Sequence, residues 1–264
     1  MLRILLTNDD GIDSPGIAVL RHALEGLGDV VAMAPDHNAS ALARSITVAR
    51  ALRVQRAPFG AGFDGLAVDG TPVDCVRIAL LGVLGPAPDL VVSGVNLGAN
   101  MGNDVTYSGT VGAALEAALH GICGVAFSVE SREPRHLESS IPLMRRIVEQ
   151  VIAAPLAIGT TLNVNLPDRP ADDIAGLRVT SLGGTSRYDR VLLADGDLNA
   201  SGEHFLEAER APLEPWTTSD FEAVEQGFVS LTPIHYELTS REGLAQIAGW
   251  PLETLTADAA EARP

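Results

Sequence analysis

Short apolar runs that break abruptly into polar turns, each followed by a segment of helical period, dominate the first 170 residues of this chain. Leu2 to Leu6 stops at Thr7-Asn8-Asp9-Asp10-Gly11, which reads as a buried strand and a sharp turn. Ser14-Pro15 stands in the cap-then-proline order of a helix start, and Ile17, Leu20, Ala23, Leu24 and Leu27 follow at helical spacing. Asp29 to Ala34 reads as a second strand closed by Pro35-Asp36. Pro72 to Leu84 reads as a helix capped by Thr71, and Asp89 to Val92 as a strand running into Ser93-Gly94-Val95-Asn96. Gly109 to His120 is predicted as a helix, Gly124 to Val129 as a strand, Pro134 to Ile152 as a longer helix and Leu162 to Leu166 as a strand. Strands alternating with helices predict an α/β fold whose largely parallel sheet is covered by helices on both faces. Beyond Asp168 the rhythm fades. Leu177 to Leu182 and Phe228 to Leu231 still read as strands, and the acidic stretch Asp195 to Glu225 has no clear period. The chain therefore divides into an α/β core at 1–170 and a β-rich C-terminal extension at 171–264 that completes it.

Charge narrows the partners. The formal net charge is −16, and all 18 basic residues are arginines because the sequence has no lysine. An acidic surface repels nucleic acid and anionic membranes at long range, so neither is an expected partner. An anionic ligand would need a local cation to reverse the field. The absence of lysine removes a Walker-type phosphate clamp and Schiff-base chemistry. Cys75 and Cys123 lie in apolar stretches and read as two buried free thiols. The chain opens on a strand-like run without a basic leader or an apolar segment of membrane-spanning length, which predicts the cytoplasm.

Three predicted strands end in polar residues: Asn8-Asp9-Asp10-Gly11, Pro35-Asp36-His37-Asn38-Ala39-Ser40 and Ser93-Gly94-Val95-Asn96. In a doubly wound sheet, ligands bind beyond the carboxyl ends of the strands, where strand order reverses. Two carboxylates, a hydroxyl and an amide oxygen can converge there, an all-oxygen set suited to Mg²⁺, Mn²⁺ or Ca²⁺ rather than zinc. In a continuing strand Asp9 and Asp10 would face opposite ways, but Gly11 allows a turn that aims both at one point. Two like charges held together favour a cation between them. Read alone, the pair serves equally well as a turn cap. The run from Asn96 to Asp104 is rich in glycine and asparagine, and Ser108-Gly109-Thr110 opens a helix whose free N–H groups favour a phosphate.

These segments resemble a known family. ILLTNDDGIDSPGI, PDHNAS, DGTPVDC, SGVNLGANMGNDVTYSGTVGAALEA and the distal DFEAVEQGFVSLTPI are similar, in the same order, to the signatures of the SurE (survival protein E) 5′-nucleotidase family. The resemblance implies a Rossmann-like fold and metal-dependent removal of phosphate from nucleoside 5′- or 3′-monophosphates. It also implies one divalent cation per subunit, held by Asp9, Asp10, Ser40 and Asn96, with Asp9 and Asp10 also catalytic. Asn96, Ser108, Gly109 and Thr110 would bind the phosphate. It implies a homodimer or a tetramer of dimers, with the interface in the C-terminal extension. The chain departs from the family pattern at Ala41-Leu42-Ala43, where relatives often carry small polar residues, so phosphate contacts from these side chains are not carried over.

Other candidates weigh less. His37, beside the predicted site, reads either as a general acid or, more commonly for a loop histidine, as a solvated residue. Tyr107 reads as a base-stacking group or a wedge in its loop. Asp69 and Asp74 flank the turn where Thr71 caps a helix. A haloacid-dehalogenase-type phosphatase, a dinucleotide-binding oxidoreductase and a serine hydrolase are disfavoured, because their motifs are absent. A non-catalytic nucleotide-binding module of the same fold is the remaining alternative.

Overall fold

A computed structural model describes residues 1–183 except Ala61 and Leu84, together with 190–193, 204–207 and 218–252. In chain order the strands are β1 (Arg3–Thr7), β2 (Asp29–Pro35), β3 (Val54–Phe59), β4 (Phe63–Val68), β5 (Leu90–Leu97) and β6 (Cys123–Val129). They continue with β7 (Thr160–Leu166), β8 (Gly176–Val179), β9 (Arg190–Leu193), β10 (His204–Glu207) and β11 (Phe228–His235). The α-helices are α1 (Pro15–Ala23), α2 (Pro72–Leu80), α3 (Gly109–Leu119), α4 (Ile141–Ala153), α5 (Asp220–Glu225) and α6 (Arg241–Ala248).

Among the described residues, nine strands form one sheet in the order β3-β4-β2-β1-β5-β6-β7-β11-β8, and β9 and β10 pair apart from it. From β4 to β7 all neighbours are parallel. Strand β3 returns antiparallel on β4, and β11 lies antiparallel to β7 with β8 parallel beside it. The order reverses at β1, which has β2 on one side and β5 on the other. That is the switch point.

The apolar runs that identify the strands also explain the layering. Ile4 and Leu6 join a core with Ile17 and Leu20 of α1 and Met144 and Val148 of α4. Leu5, between them in sequence, joins the opposite core with Cys75 and Val76 of α2 and Ala113 and Ala117 of α3. Side chains alternate across a strand, so a continuous apolar run suits a strand buried on both faces. Each large apolar side chain so buried contributes about 1.5–3 kcal/mol.

Local caps set the helix starts. The Ser14 hydroxyl accepts the Gly16 N–H at 3.2 Å. Thr71 and Asp74 cap one another, with Thr71 Oγ1 accepting the Asp74 N–H at 3.1 Å and Asp74 Oδ2 accepting the Thr71 N–H at 2.9 Å. The helix expected from Pro134 begins only at Ile141, after a 3₁₀ turn at Leu137–Ser140. The N–H groups of Arg135 and His136 are instead taken by the Asp168 carboxylate, and Pro142 suits a first turn because it has no N–H to satisfy. The helix predicted to reach Leu84 stops at Leu80, just before Gly82 at φ +79. Cys75 is fully buried, whereas Cys123, at a strand start, is only half-buried. The β3–β4 hairpin and α6 are additions to the sequence reading. The acidic stretch at 195–225 lies largely outside the described residues, which there include β10 and, from 218, the whole of α5. Among the described residues no helix is long and apolar enough to cross a membrane.

Candidate active site

Beyond the carboxyl ends of β1, β2 and β5 the chain folds its polar turns onto one another. Gly11, at φ +100, turns the backbone immediately after Asp10, and the Ile12 N–H donates to the Pro35 carbonyl at 2.9 Å. The Ala39 N–H donates to the Asp9 carbonyl at 2.7 Å, strapping the loop after β2 onto the loop after β1. The result is a cavity of about 430 Å³ whose lining includes Asp9, Asp10, Ser40, Asn96, Ser108 and Arg132.

The two aspartates are held differently. Asp9 is buried, and its Oδ1 accepts a hydrogen bond from the Thr110 hydroxyl. Burial pushes its carboxyl above the ordinary range, against the pull of that hydroxyl and of the backbone N–H groups of Asp9, Thr110 and Gly109. Asp10 is half-buried, and its Oδ2 accepts the Leu97 N–H at 3.2 Å. Its carboxyl is pushed up to about 6, first by burial and then by the charge of Asp9, while Leu97 lowers it. Two carboxylates that each raise the cost of ionising the other are an electrostatic liability unless a cation joins them.

The other expected residues divide into those that face the cavity and those that support it. Ser40 is exposed on a loop whose Asn38 Oδ1 accepts the Ser40 N–H at 2.9 Å. Asn96 Nδ2 donates to the Gly98 carbonyl at 2.7 Å, which leaves Oδ1 as its acceptor for a ligand. Ser108 lines the cavity, and its Oγ accepts the Val111 N–H at 3.1 Å as the cap of α3. Gly109 and Thr110 do not line the cavity. A Cβ built on Gly109 would stand 2.8 Å from Asp9 Cβ, so only glycine lets the helix start approach that closely. The start of α3 is thus aimed at the Asp9 carboxylate. His37 lies outside the lining, exposed, with Nδ1 2.6 Å from Asp36 Oδ1. Tyr107 lines the cavity and is 53% exposed, so its ring is free to meet a ligand.

Asn100, in the lining, ties the cavity wall to the strands behind it. Asn100 donates its N–H to Asn165 Oδ1 at 2.8 Å and its Nδ2 to Ser128 Oγ at 2.8 Å. Its carbonyl accepts from Asn163 Nδ2 at 2.8 Å and Asn165 Nδ2 at 2.9 Å. These four hydrogen bonds pin the loop after β5. On the other side, Arg44 and Arg77 each lie 3.1 Å from the buried carboxylate of Glu116, tying the segment after Ser40 to α3.

The donor set fits a hard divalent cation. It consists of carboxylate, hydroxyl and amide oxygens, and among the described residues no thiol or imidazole lines the cavity. Among the described residues no group of three or more His, Cys, Asp and Glu side chains gathers to hold a metal. A cation here would therefore rely on the neutral oxygens of Ser40 and Asn96, with water completing its shell. Sequence reasoning missed Arg132, a cationic side chain in the lining. The rule applied to three strand ends reaches it when extended to a fourth, because Arg132 follows β6 in Glu130-Ser131-Arg132.

Fold and site together define a doubly wound α/β protein with an all-oxygen site at its switch point. Comparison with known proteins gives the family. The profile described as "Survival protein SurE" matches residues 4–189. A relative named 5′-nucleotidase SurE, from Alkalilimnicola ehrlichii, is 40% identical over 250 residues, covering 95% of each chain. The crystal structure of the SurE protein from Aquifex aeolicus superposes with a TM-score of 0.79 at 38% identity, covering 93% of this chain and 98% of that one. The chain belongs to the SurE family.

Proposed function

We propose that this protein is a metal-dependent 5′-nucleotidase that hydrolyses nucleoside 5′-monophosphates, with 3′-monophosphates as a second substrate class, to nucleoside and phosphate. The observation that carries the reading is the meeting of Asp9, Asp10, Ser40, Asn96 and Ser108 in one cavity at the switch point. The name of the Alkalilimnicola relative supports the activity. Asp9, Asp10, Ser40 and Asn96 would hold one divalent cation, Mg²⁺, Mn²⁺ or Ca²⁺. When bound, that ion supplies positive charge and Lewis-acid polarisation to the phosphoryl group.

The protein's own groups divide the remaining work. Thr110 and the start of α3 fix Asp9 as an oriented ligand. Asp10 has one oxygen on the Leu97 N–H, and its other oxygen, uncommitted among the described residues, takes a proton from the attacking water. Asn96, through the second N–H of its Nδ2, and Ser108 at the N-terminal end of α3 orient the phosphate, and the helix dipole favours its charge. Arg132 neutralises phosphate charge in an otherwise acidic protein. Tyr107 offers its exposed ring to the base. Residues 1–170 carry this chemistry, and 171–264 complete the fold and form the interface of a homodimer or tetramer acting in the cytoplasm.

The deciding experiment measures phosphate release from nucleoside 5′- and 3′-monophosphates by protein stripped with EDTA and then reloaded with Mn²⁺ or Mg²⁺. Release that returns only with metal is expected. Release unaffected by EDTA overturns the metal dependence, and nucleotide binding without any release identifies a binding module instead.

A further inference from the structure

The phosphate-facing loop is held from a distant part of the chain. Asp220, the first residue of α5, is completely buried. Its Oδ2 accepts the Gly102 N–H at 2.8 Å, and its Oδ1 accepts the N–H groups of Gly183 at 2.9 Å and Phe221 at 3.0 Å. Among the described residues no cation stands opposite it, and the groups that meet the buried carboxylate there are backbone donors. Burial of this kind is tolerated only when such hydrogen bonds are made, and charge-assisted ones are the strongest available.

What Asp220 holds is informative. Gly102, at φ +55, opens the 3₁₀ turn Gly102–Thr106. The turn continues through the Tyr107 N–H on the Asp104 carbonyl at 2.9 Å and the Ser108 N–H on the Val105 carbonyl at 3.4 Å. One hydrogen-bonded path therefore runs from Asp220 through Gly102 to Tyr107 and Ser108 at the cavity. Met101 packs with Phe221 and Val224 in a small apolar cluster beneath the same loop. Asn100 grips the loop from the side of β6 and β7, and Asp220 grips it from α5.

We propose that Asp220 is a positioning residue for phosphate binding, setting Tyr107 and Ser108 at the cavity through Gly102 without touching the ligand. This inference rests on the functional reading above. It differs from a role in stabilising α5, because that helix has its own cap: the Ser219 hydroxyl accepts the Glu222 N–H at 3.2 Å.

The test compares Asp220→Asn, Asp220→Ala and the control Ser219→Ala in the full-length protein. Four quantities are measured: melting temperature, Mn²⁺ affinity, affinity of the Mn²⁺-loaded protein for inorganic phosphate, and amide exchange across 102–108. Asp220→Asn keeps the shape but turns an N–H₂ group toward backbone donors. It is expected to weaken phosphate binding about tenfold, the scale of one lost charged hydrogen bond. Exchange at Gly102 should rise, and Mn²⁺ affinity should change less than about twofold. Ser219→Ala should lower the melting temperature, as cap losses do, and leave phosphate affinity unchanged. If Asp220→Ala does not fold, the Asn variant alone decides. Equal phosphate affinity in Asp220→Asn and wild type overturns the proposal, as does a parallel loss of Mn²⁺ binding. Wild-type protein that binds no phosphate with Mn²⁺ present sinks the functional reading itself.

Discussion

The two ends of the main sheet solve different problems. Strands β1, β2, β5, β6 and β7 are parallel, largely buried on both faces and ended by polar turns, and the candidate ligands come from the ends of those strands, the segments that follow them or the start of α3. On the far side β11 and β8 reverse direction against β7, and none of the proposed ligands lies beyond Asp168. Yet α5, which leads into β11, supplies the carboxylate and the apolar plug beneath the loop at 99–102. Parallel strands point their carboxyl ends the same way and can gather side chains from far apart in sequence. The antiparallel addition sends its chain ends elsewhere, so it contributes support rather than ligands.

That contrast breaks first at Asp10. Replacing it by asparagine should cut turnover at least about a hundredfold, since even outer-shell losses at metal sites cost up to that much. High Mn²⁺ should rescue it in part. Stability should move the other way. The Asp10 carboxyl is raised from 3.8 to about 6 in the folded protein, so the folded state favours the protonated form. The metal-free wild type therefore loses stability as pH rises through that window, and the loss is complete above it. Metal-free Asp10→Asn escapes this and should melt a few degrees higher near neutral pH, equivalent to about 1 kcal/mol once partial exposure is allowed for. A melting curve and an activity assay at matched metal check both signs. A fully active variant without metal would end the site assignment.

A smaller effect is expected at Thr110. Thr110→Val strips the hydroxyl from the buried Asp9 carboxylate, costing about 1–3 kcal/mol of stability and about tenfold in turnover. Thr110→Ser keeps the donor and should recover most of both. If valine and serine behave alike, Asp9 does not depend on α3 for its orientation.

In the supporting region the pattern should reverse. Phe221→Ala opens the cluster under Met101 and should cost about 3 kcal/mol of stability, at the low end for a buried aromatic. Turnover per folded molecule should change less than about threefold, because no ligand is lost. Calorimetry paired with active-site titration separates the two, and a catalytic collapse at intact stability would contradict the division of labour.

The smallest effect concerns the thiols. Cys75 is buried and its thiol is raised far above the ordinary range by burial, then by the nearby Asp74 charge. Cys123 is half-buried, and burial raises its thiol too, against a backbone hydrogen bond from Leu156. Because the thiolate is the reactive form, a thiol reagent should label Cys123 slowly and Cys75 only on unfolding, with activity unchanged. Mass spectrometry of the labelled protein reads this out.

Much of the fold was legible because it is written locally. Apolar runs, caps such as Ser14 and Thr71, and turn glycines such as Gly11 act over a few residues, and each reappears in the structure at its expected place. The reading failed where local signals were weak or overruled. Strand β3 carries exposed residues and a proline, which blurred its pattern, and it takes its place only by pairing with β4. The helix start at Pro134 was overruled by Asp168, a carboxylate more than thirty residues away that captures two backbone donors.

The site divides in the same way. By itself the sequence determined which oxygens are available and that they stand at strand ends, because a turn after a buried strand is a local event. Only the tertiary structure decided what those residues do to one another. Thr110, read as a phosphate contact, spends its hydroxyl on Asp9 across 101 residues of chain. Asp220 reaches Gly102 across 118. Burial and the neighbouring charge set how readily Asp10 ionises. Hydrogen bonds at such separations depend on strand order and helix packing, which place distant segments within a few ångströms. No pattern of neighbouring residues encodes that proximity.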